Sequence, residues 1–169
     1  NDSTQWTSAH LKQFDAIAVL NATSLHGGFK GGNRQAFLDF VYDGGGLFGC
    51  HAATDGGKEQ WPEYSELWGG AFGGHPWGKT GTWRVRNYDP RHALNRCFHG
   101  VGFDINDELY RQTHPYRKGC FRTLTCIDLS ARKNTHNNNG KIKTVQPDVA
   151  RKPGEPKPAQ VPLDLEREY

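Results

Sequence analysis

Apolar runs in the first third of the chain alternate with polar, glycine-rich segments. The run Phe14–Ala22 ends in polar and turn-forming residues, and a second run, Leu47–Ala52, is flanked by glycine and polar residues. Short continuous apolar runs are typical of strands that are buried on both faces of a parallel sheet. Between the two runs, apolar residues recur at helical spacing, at Ala36, Phe37, Phe40 and Val41. The pattern predicts a strand–helix–strand unit with a right-handed crossover, in which Asn33 and Gly44 cap the helix.

The middle of the chain predicts one short helix and three more strands. The helix is expected at about 63–68, and the alternating segment GTWRVRNY predicts a half-exposed strand. Residues 101–109 and 121–129 are also typical of strands. Strands and helices thus alternate along much of the chain, which favours an α/β fold.

The composition changes at Ser130. From there the sequence is polar and then rich in proline and lysine, so it cannot bury enough apolar surface to order itself. The last residues, VPLDLEREY, turn apolar again. We therefore divide the chain into an α/β domain at 1–129, a disordered polar loop at 130–160 and the start of a terminal strand at 161–169.

Charge and composition exclude some classes of partner. The 169 residues carry a formal net charge of only +3, and the basic residues are scattered rather than clustered. Nothing resembles a nucleic-acid-binding stripe or a membrane-binding face, so neither partner is expected. No targeting segment is visible, and because the chain contains no Met its first residues do not indicate a compartment.

The cysteines do not form a recognisable motif. No two of them have the spacing of a zinc ribbon or a thioredoxin-type pair; they are Cys50, Cys97, Cys120 and Cys126. Cysteine is often simply a small core residue, so the sequence predicts free, buried thiols.

The first candidate cluster is the segment GGGLFGCHAATD. It places His51 and Asp55 where a buried strand meets a polar turn, and ligands bind at that edge of open α/β sheets. Side chains alternate along a strand, so if His51 faces the site, Cys50 faces the packing. The alternative is that His51 is a structural histidine at a strand end.

Two further clusters carry groups capable of acid–base chemistry. In GGAFGGHPWG, His75 lies between flexible glycines and a proline; the alternative is a tight turn that happens to contain a histidine. In NDELYRQTHP, Glu108 could act as a general acid or base, with Tyr110 and His114 nearby. The alternative there is a solvated turn with one buried tyrosine. The chain has no serine-hydrolase elbow, dinucleotide fingerprint or P-loop.

Five segments in this order resemble the ThuA-like family, named for a trehalose-utilisation protein. They are FDAIAVLNAT, YDGGG, LFGCHAATD with the following WPEY, GGHP, and DELY, and the resemblance as a whole extends from about Leu11 to Leu129. The resemblance implies a flavodoxin-like sandwich, similar to the class I glutamine amidotransferases, with a mainly parallel central sheet.

The same resemblance bears on cysteine chemistry. Class I glutamine amidotransferases carry a nucleophilic cysteine on a sharp turn after a central strand, in a G-x-C-x-G context. Aligning Gly49-Cys50-His51-Ala52-Ala53 with that pattern places His51, and not Cys50, at the nucleophile position. A cysteine amidotransferase is therefore disfavoured, since it would require Cys50 to react.

The function implied by the resemblance is in carbohydrate metabolism, with a disaccharide or keto-sugar as the small-molecule partner. His51 and Glu108 are the expected catalytic residues, and the expected substrate-binding residues are Asp55, Trp61, Tyr110 and His114. A zinc-like divalent metal is also expected, with His51, His75 and Glu108 as ligands. The alternative is a non-catalytic sugar-binding or interaction module, which would keep the fold without needing a metal.

The chain departs from the family pattern at both ends. Members usually open with a strand before the first helix, and here only the tail of that helix is visible near 10–13. They usually close with a G-x-G-x-V-x-Y strand, a glycine–histidine turn and a final helix, whereas this sequence stops at EREY. We therefore expect a fold that is incomplete at both termini.

Overall fold

The computed structural model describes residues 5–113, 121–136, 144–145 and 161–162. The chain divides into two compact units. The first comprises Asn1–Phe72 and Gln112–Lys118, and the second comprises Gly73–Arg111 and Gly119–Tyr169.

Short helices and strands alternate along the described residues. The helices are α1 (Ser8–Leu11), α2 (Leu25–Gly28), α3 (Gly32–Tyr42), α4 (Pro62–Leu67) and α5 (Arg132–Thr135). The strands are β1 (Ala16–Leu20), β2 (Gly46–Cys50), β3 (Ala71–Phe72), β4 (Thr82–Asn87), β5 (Phe103–Asn106), β6 (Gln112–Thr113), β7 (Thr125–Ile127), β8 (Thr144–Val145) and β9 (Val161–Pro162). Three 3₁₀ helices lie at His51–Asp55, Lys58–Gln60 and Ala93–Phe98. Within this described part of the chain, no helix has the length and apolar character needed to cross a membrane.

The predicted strand–helix–strand unit is confirmed in the first unit. Strands β1 and β2 pair in parallel, with Ala16 opposite Gly46 and Leu20 opposite Cys50, and α3 connects them along the chain. Helix α3 begins earlier than predicted, because Gly31 and not Asn33 occupies the N-cap position.

The prediction that these strands are buried on both faces is wrong. Burial alternates along β1, where Ile17 and Val19 face the core. The opposite face is open within the described residues, and Leu20 and Phe48 are 64% and 59% exposed there. A continuous apolar run shows that both faces of a strand are apolar. It does not show whether other parts of the protein pack against each face.

The predicted burial of the thiols is also wrong for two of the three cysteines that the structure describes. Cys50 lies at the end of β2 and is exposed, and Cys97 is exposed in a 3₁₀ helix. Cys126 is half-buried, and the loss of solvent raises the pKa of its thiol. Cys120 lies outside the described residues.

An aromatic cluster forms the core of the first unit. Its centre is Trp61 and Tyr64, which are 1% and 0% exposed and whose ring centroids lie 5.0 Å apart. Phe29 stacks on Trp61 at 5.5 Å, and Phe37 packs edge-on against the same indole ring at 5.6 Å. Arg34 covers another side of the indole, with its guanidinium carbon 5.1 Å from the ring centroid. Such rings bury large apolar areas, so this cluster is the main source of hydrophobic stabilisation in the unit.

The second unit is built on an antiparallel sheet in the order β5–β4–β7. The predicted half-exposed strand at GTWRVRNY is confirmed as β4, whose Val85 lies opposite both Phe103 and Ile127. Asn134 fastens the segment after β7 to this sheet. Its side-chain amide donates to the carbonyls of Arg84 and Asp128, and its oxygen accepts from the Arg84 amide.

Asn134 is fully buried, four residues beyond the point where the sequence turns polar. The division of the chain at 129/130 and 160/161 stays a prediction, but α5 shows that some ordered structure follows Ser130.

The α/β fold class is confirmed. The described strands form one parallel pair and three antiparallel sheets, namely β3–β6, β5–β4–β7 and β8–β9. A mainly parallel central sheet is therefore not confirmed.

We predict that Tyr64→Phe lowers the free energy of unfolding by about 1 kcal/mol. The Tyr64 hydroxyl donates to the Ala53 carbonyl at 2.8 Å, and without it that oxygen keeps only the longer bond from the Gly56 amide at 3.3 Å. Urea denaturation measures the difference. Tyr42→Phe is the matched control, because Tyr42 is 66% exposed and its replacement should change stability by less than about 0.5 kcal/mol.

The stability difference between Tyr64→Phe and the unmodified chain should also depend on pH. Burial raises the pKa of Tyr64 to about 12, whereas a tyrosine in an unfolded chain ionises near about 10. The neutral Tyr64 hydroxyl stabilises the fold fully at a pH below the pKa of the unfolded chain, and this contribution is lost as the pH rises through the pKa of the folded chain. The difference in free energy of unfolding between the unmodified chain and Tyr64→Phe should therefore become smaller above about pH 10. A difference in free energy of unfolding that stays constant up to pH 12 would contradict a raised pKa for Tyr64.

Candidate functional site

A sharp turn follows β2 at the carboxyl edge of the parallel strand pair. His51 is its first residue and adopts a left-handed backbone, with φ of +51°. The chain then continues directly into the 3₁₀ helix His51–Asp55. A strained turn from strand to helix is how nucleophile elbows present a side chain at a sheet edge. His51 is exposed at this position.

The turn also corrects the expected relation between Cys50 and His51. The alternation of side chains ends with β2 at Cys50, so it does not extend to His51. Both residues are exposed, and Cys50 does not face the packing. It is His51, and not Cys50, that has the elbow conformation.

Small residues let the turn lie directly on the aromatic core. Ala52 and Ala53 are buried, and the Ala53 carbonyl accepts the hydrogen bond from Tyr64. A Cβ atom at Gly49 would lie 2.5 Å from the Trp68 ring, so no larger residue fits before the turn. The apolar core and the position of His51 are thus parts of one arrangement.

Two polar residues end the same 3₁₀ helix. Asp55 is half-buried and its Oδ1 atom is shielded from solvent. Thr54 accepts a hydrogen bond of 3.3 Å from the side-chain amide of Gln112. Gln112 lies within the segment NDELYRQTHP that carries one of the predicted clusters, but its link to Thr54 spans 58 residues of sequence and has no local signal.

The second unit brings three of the predicted site residues together. His75 Nε2 lies 2.8 Å from Glu108 Oε2, and both side chains are 21% exposed. Tyr110 packs edge-on against the His75 ring at a centroid distance of 5.1 Å. The structure thus places residues of the segments GGHP and DELY beside each other, and the roles predicted for these three residues stay predictions.

Backbone hydrogen bonds hold these two segments in place. The Gly73 amide donates to the Arg111 carbonyl at 2.7 Å, and the Arg111 amide donates to the Gly74 carbonyl at 3.0 Å. Arg111 also donates from Nη2 to the Gly73 carbonyl at 3.4 Å. Arg111 was not among the predicted site residues, although it lies in the same sequence cluster. Its position brings a permanent positive charge to the segment that carries Glu108 and Tyr110.

Two other predicted substrate-binding residues have different outcomes. Trp61 is at the centre of the aromatic core, so its indole is not available to stack on a sugar from solvent. The expected binding role for Trp61 is replaced by a packing role. His114 lies outside the described residues.

The expected metal site can be compared with the residues present. Zinc sites use at least three protein ligands. His75 and Glu108 form a pair in the second unit, and His51 belongs to the first unit. Among the described residues, no group of three or more His, Cys, Asp or Glu side chains is arranged to hold a metal ion. We therefore derive no chemical step through a metal, and the ligand set His51, His75 and Glu108 stays a prediction.

The fold and these two groups define an α/β protein with a histidine elbow in one unit and a histidine–glutamate pair in the other. The family model for ThuA, described as trehalose utilisation, matches residues 1–152. The chain belongs to the ThuA family.

Two further comparisons place this membership in context. The chain is similar to the crystal structure of a ThuA-like protein from Bacteroides uniformis ATCC 8492, with 22% sequence identity and a TM-score of 0.63. The match covers 76% of this chain and 51% of that one, so it spans about half the length of the solved protein. At this identity the likeness supports the fold alone. No curated protein matches the chain.

We predict that His51→Gly is more stable than His51→Ala by about 1 kcal/mol, because only glycine adopts a left-handed backbone without steric cost. Urea denaturation of the two variants measures the difference. Lys12 provides the control, since it is exposed and right-handed with φ of −60°. There the order should reverse, with Lys12→Ala more stable than Lys12→Gly. Equal stability of the two His51 variants would show that the turn relaxes.

Proposed function

We propose that this ThuA-family protein binds a disaccharide or keto-sugar and transforms it by proton transfer. The observation that carries the proposal is the contact of 2.8 Å between His75 Nε2 and Glu108 Oε2. Family membership supports the substrate class, since the family model is described as trehalose utilisation.

An imidazole in close contact with a carboxylate can exchange a proton with a substrate. An imidazole can both accept and donate a proton, and a neighbouring carboxylate can orient its ring. Such a pair can take a proton from a sugar hydroxyl, or from the carbon beside a keto group, and return it later in the reaction. The side chains of His75 and Glu108 are each partly exposed, although the His75 Nε2 atom that faces Glu108 is shielded from solvent. Backbone hydrogen bonds hold the two segments that carry the pair.

Tyr110 is suited to contact the sugar in place of the buried Trp61. Its ring is half-buried and lies against His75, so a sugar that reaches the imidazole also meets the tyrosine. Aromatic side chains combine an apolar face for C–H groups with a polar tip that hydrogen-bonds. In the first unit, His51 and Asp55 provide a second proton-transfer group and a carboxylate on the elbow.

A flavodoxin-like, class I glutamine amidotransferase-like arrangement is also part of the proposal. Its support is the parallel pair β1–β2 with α3 between the strands in sequence, followed by the sharp turn at His51. The turn residue is a histidine, so the proposal does not include cysteine amidotransferase chemistry.

We predict that His75→Gln and Glu108→Gln each lower kcat/KM for trehalose or its keto derivative at least about 100-fold, the usual value of general acid–base catalysis. Each change removes one member of the pair, so the double variant should be little worse than either single one. Steady-state kinetics on purified variants measures this. The matched controls are His99→Asn and Glu63→Gln, which alter an exposed histidine and an exposed glutamate elsewhere. Both should keep full activity.

Two outcomes would change the proposed function. Independent effects that multiply in the double variant would mean that His75 and Glu108 do not act as a pair. Sugar binding without turnover by the unmodified chain would favour the non-catalytic sugar-binding module.

The predicted metal site has a separate test in a thermal melt with zinc and then with a chelator. A ligand that binds only the native state raises Tm, so the metal prediction requires a rise with zinc and a fall with the chelator. The rise should disappear in both His51→Ala and His75→Gln. A Tm that responds to zinc equally in these variants would rule out the predicted ligand set.

A further inference from the structure

The strands β1 and β2 end side by side at the carboxyl edge of the sheet. Leu20 pairs with Cys50 at the last position of the ladder, and the next amide, that of Asn21, donates to the Cys50 carbonyl at 3.1 Å. The residue that follows each strand is therefore adjacent to its counterpart, and these two residues are Asn21 and His51. Neighbouring strands lie about 4.8 Å apart, a distance that one sugar ring can span.

Both residues have the same unusual backbone. Asn21 has φ of +49° and His51 has φ of +51°, in the left-handed region that glycine adopts without cost. Strained residues of this kind persist where the surrounding structure holds them, and they cluster at ligand sites. The chain contains 21 glycines, yet it carries side chains at these two adjacent strand ends. Both side chains are exposed, so packing does not account for them.

The loops that follow the two strands are held together. The His26 amide and its ring Nδ1 both donate to the Gly56 carbonyl, at 3.0 and 3.1 Å. Arg34 in turn donates to the His26 carbonyl at 3.0 Å and to the Phe29 carbonyl at 2.7 Å. These bonds link the loop after β1 to the end of the 3₁₀ helix after β2, so the edge is ordered before any ligand binds.

We infer that Asn21 is a ligand-binding residue of the site that contains His51, and that its side-chain amide contacts a sugar hydroxyl or keto oxygen. The inference rests on the proposed function for its substrate class. An asparagine amide both donates and accepts hydrogen bonds, which matches a hydroxyl group beside a proton-transferring imidazole. Asparagine is also among the few side chains that tolerate a left-handed backbone, so a polar group is placed here at low strain.

The test is a titration of the 169-residue chain with trehalose and, separately, with its keto derivative, in which binding is monitored by NMR. The signals to follow are the Asn21 side-chain amide and the His51 imidazole. Asn21→Gly removes the amide at a position whose backbone suits glycine, so Tm should stay the same or rise while Kd increases at least about tenfold, the loss expected for one hydrogen bond. Ser24→Gly is the matched control, because Ser24 is exposed and has φ of +56° in the loop after the same strand. It should leave Kd essentially unchanged.

Asn21→Asp gives a second variant that keeps the size and the backbone tolerance but removes the two amide donors. It should also weaken binding, although less than Asn21→Gly. The inference would be overturned if the sugar shifts the NMR signals of His51 but Kd is unchanged in both Asn21 variants. The proposed function would then still stand. If neither Asn21 nor His51 responds to either sugar, the inference is overturned together with the sugar-binding role of this edge.

Discussion

Tyr64 connects the core of the first unit to the edge where its chemistry is expected. The phenol ring packs against Trp61, and its hydroxyl donates to the carbonyl of Ala53 in the turn after β2. A buried hydroxyl without a hydrogen-bond partner would cost free energy. The position of the Tyr64 ring and the position of the turn at Ala53 therefore depend on each other. The Ala53 carbonyl therefore gives the aromatic cluster a direct link to the turn that carries His51.

The same constraint explains the distribution of small residues. Gly49 leaves room for the Trp68 ring. Gly56 leaves room for Tyr64 and Leu25, because a Cβ atom at Gly56 would lie 3.1 and 3.2 Å from their nearest atoms. The turn can approach the core this closely only because these positions lack side chains. The chain passes from the extended Cys50 into the 3₁₀ helix with no intervening residue, and His51, the first residue of that helix, has the left-handed φ of +51°.

The elements that could be predicted were those specified by local patterns. The spacing of apolar residues located β1, α3 and β2. Three clusters of polar residues singled out His51, His75 and Glu108, whose roles stay predictions. Layering could not be predicted in the same way, because Leu20 and Phe48 are as apolar as core residues yet face outward. Trp61 was misplaced for a related reason, since an indole ring suits a core and a sugar site equally well. Asn21 carried no signal because the role that we infer for it depends on the pairing of β1 with β2, which are distant in sequence.

The two candidate groups are built by different physical means. At the carboxyl edge of β1–β2, strained backbone and a packed core hold Asn21 and His51, so their orientation depends on the stability of the first unit. In the second unit, backbone hydrogen bonds between Gly73, Gly74 and Arg111 hold His75 beside Glu108 without a positive φ at either residue. Destabilising the aromatic core should therefore disturb the elbow first. The histidine–glutamate pair depends instead on a short stretch of backbone pairing, which a single proline at Arg111 would interrupt by removing its amide donor.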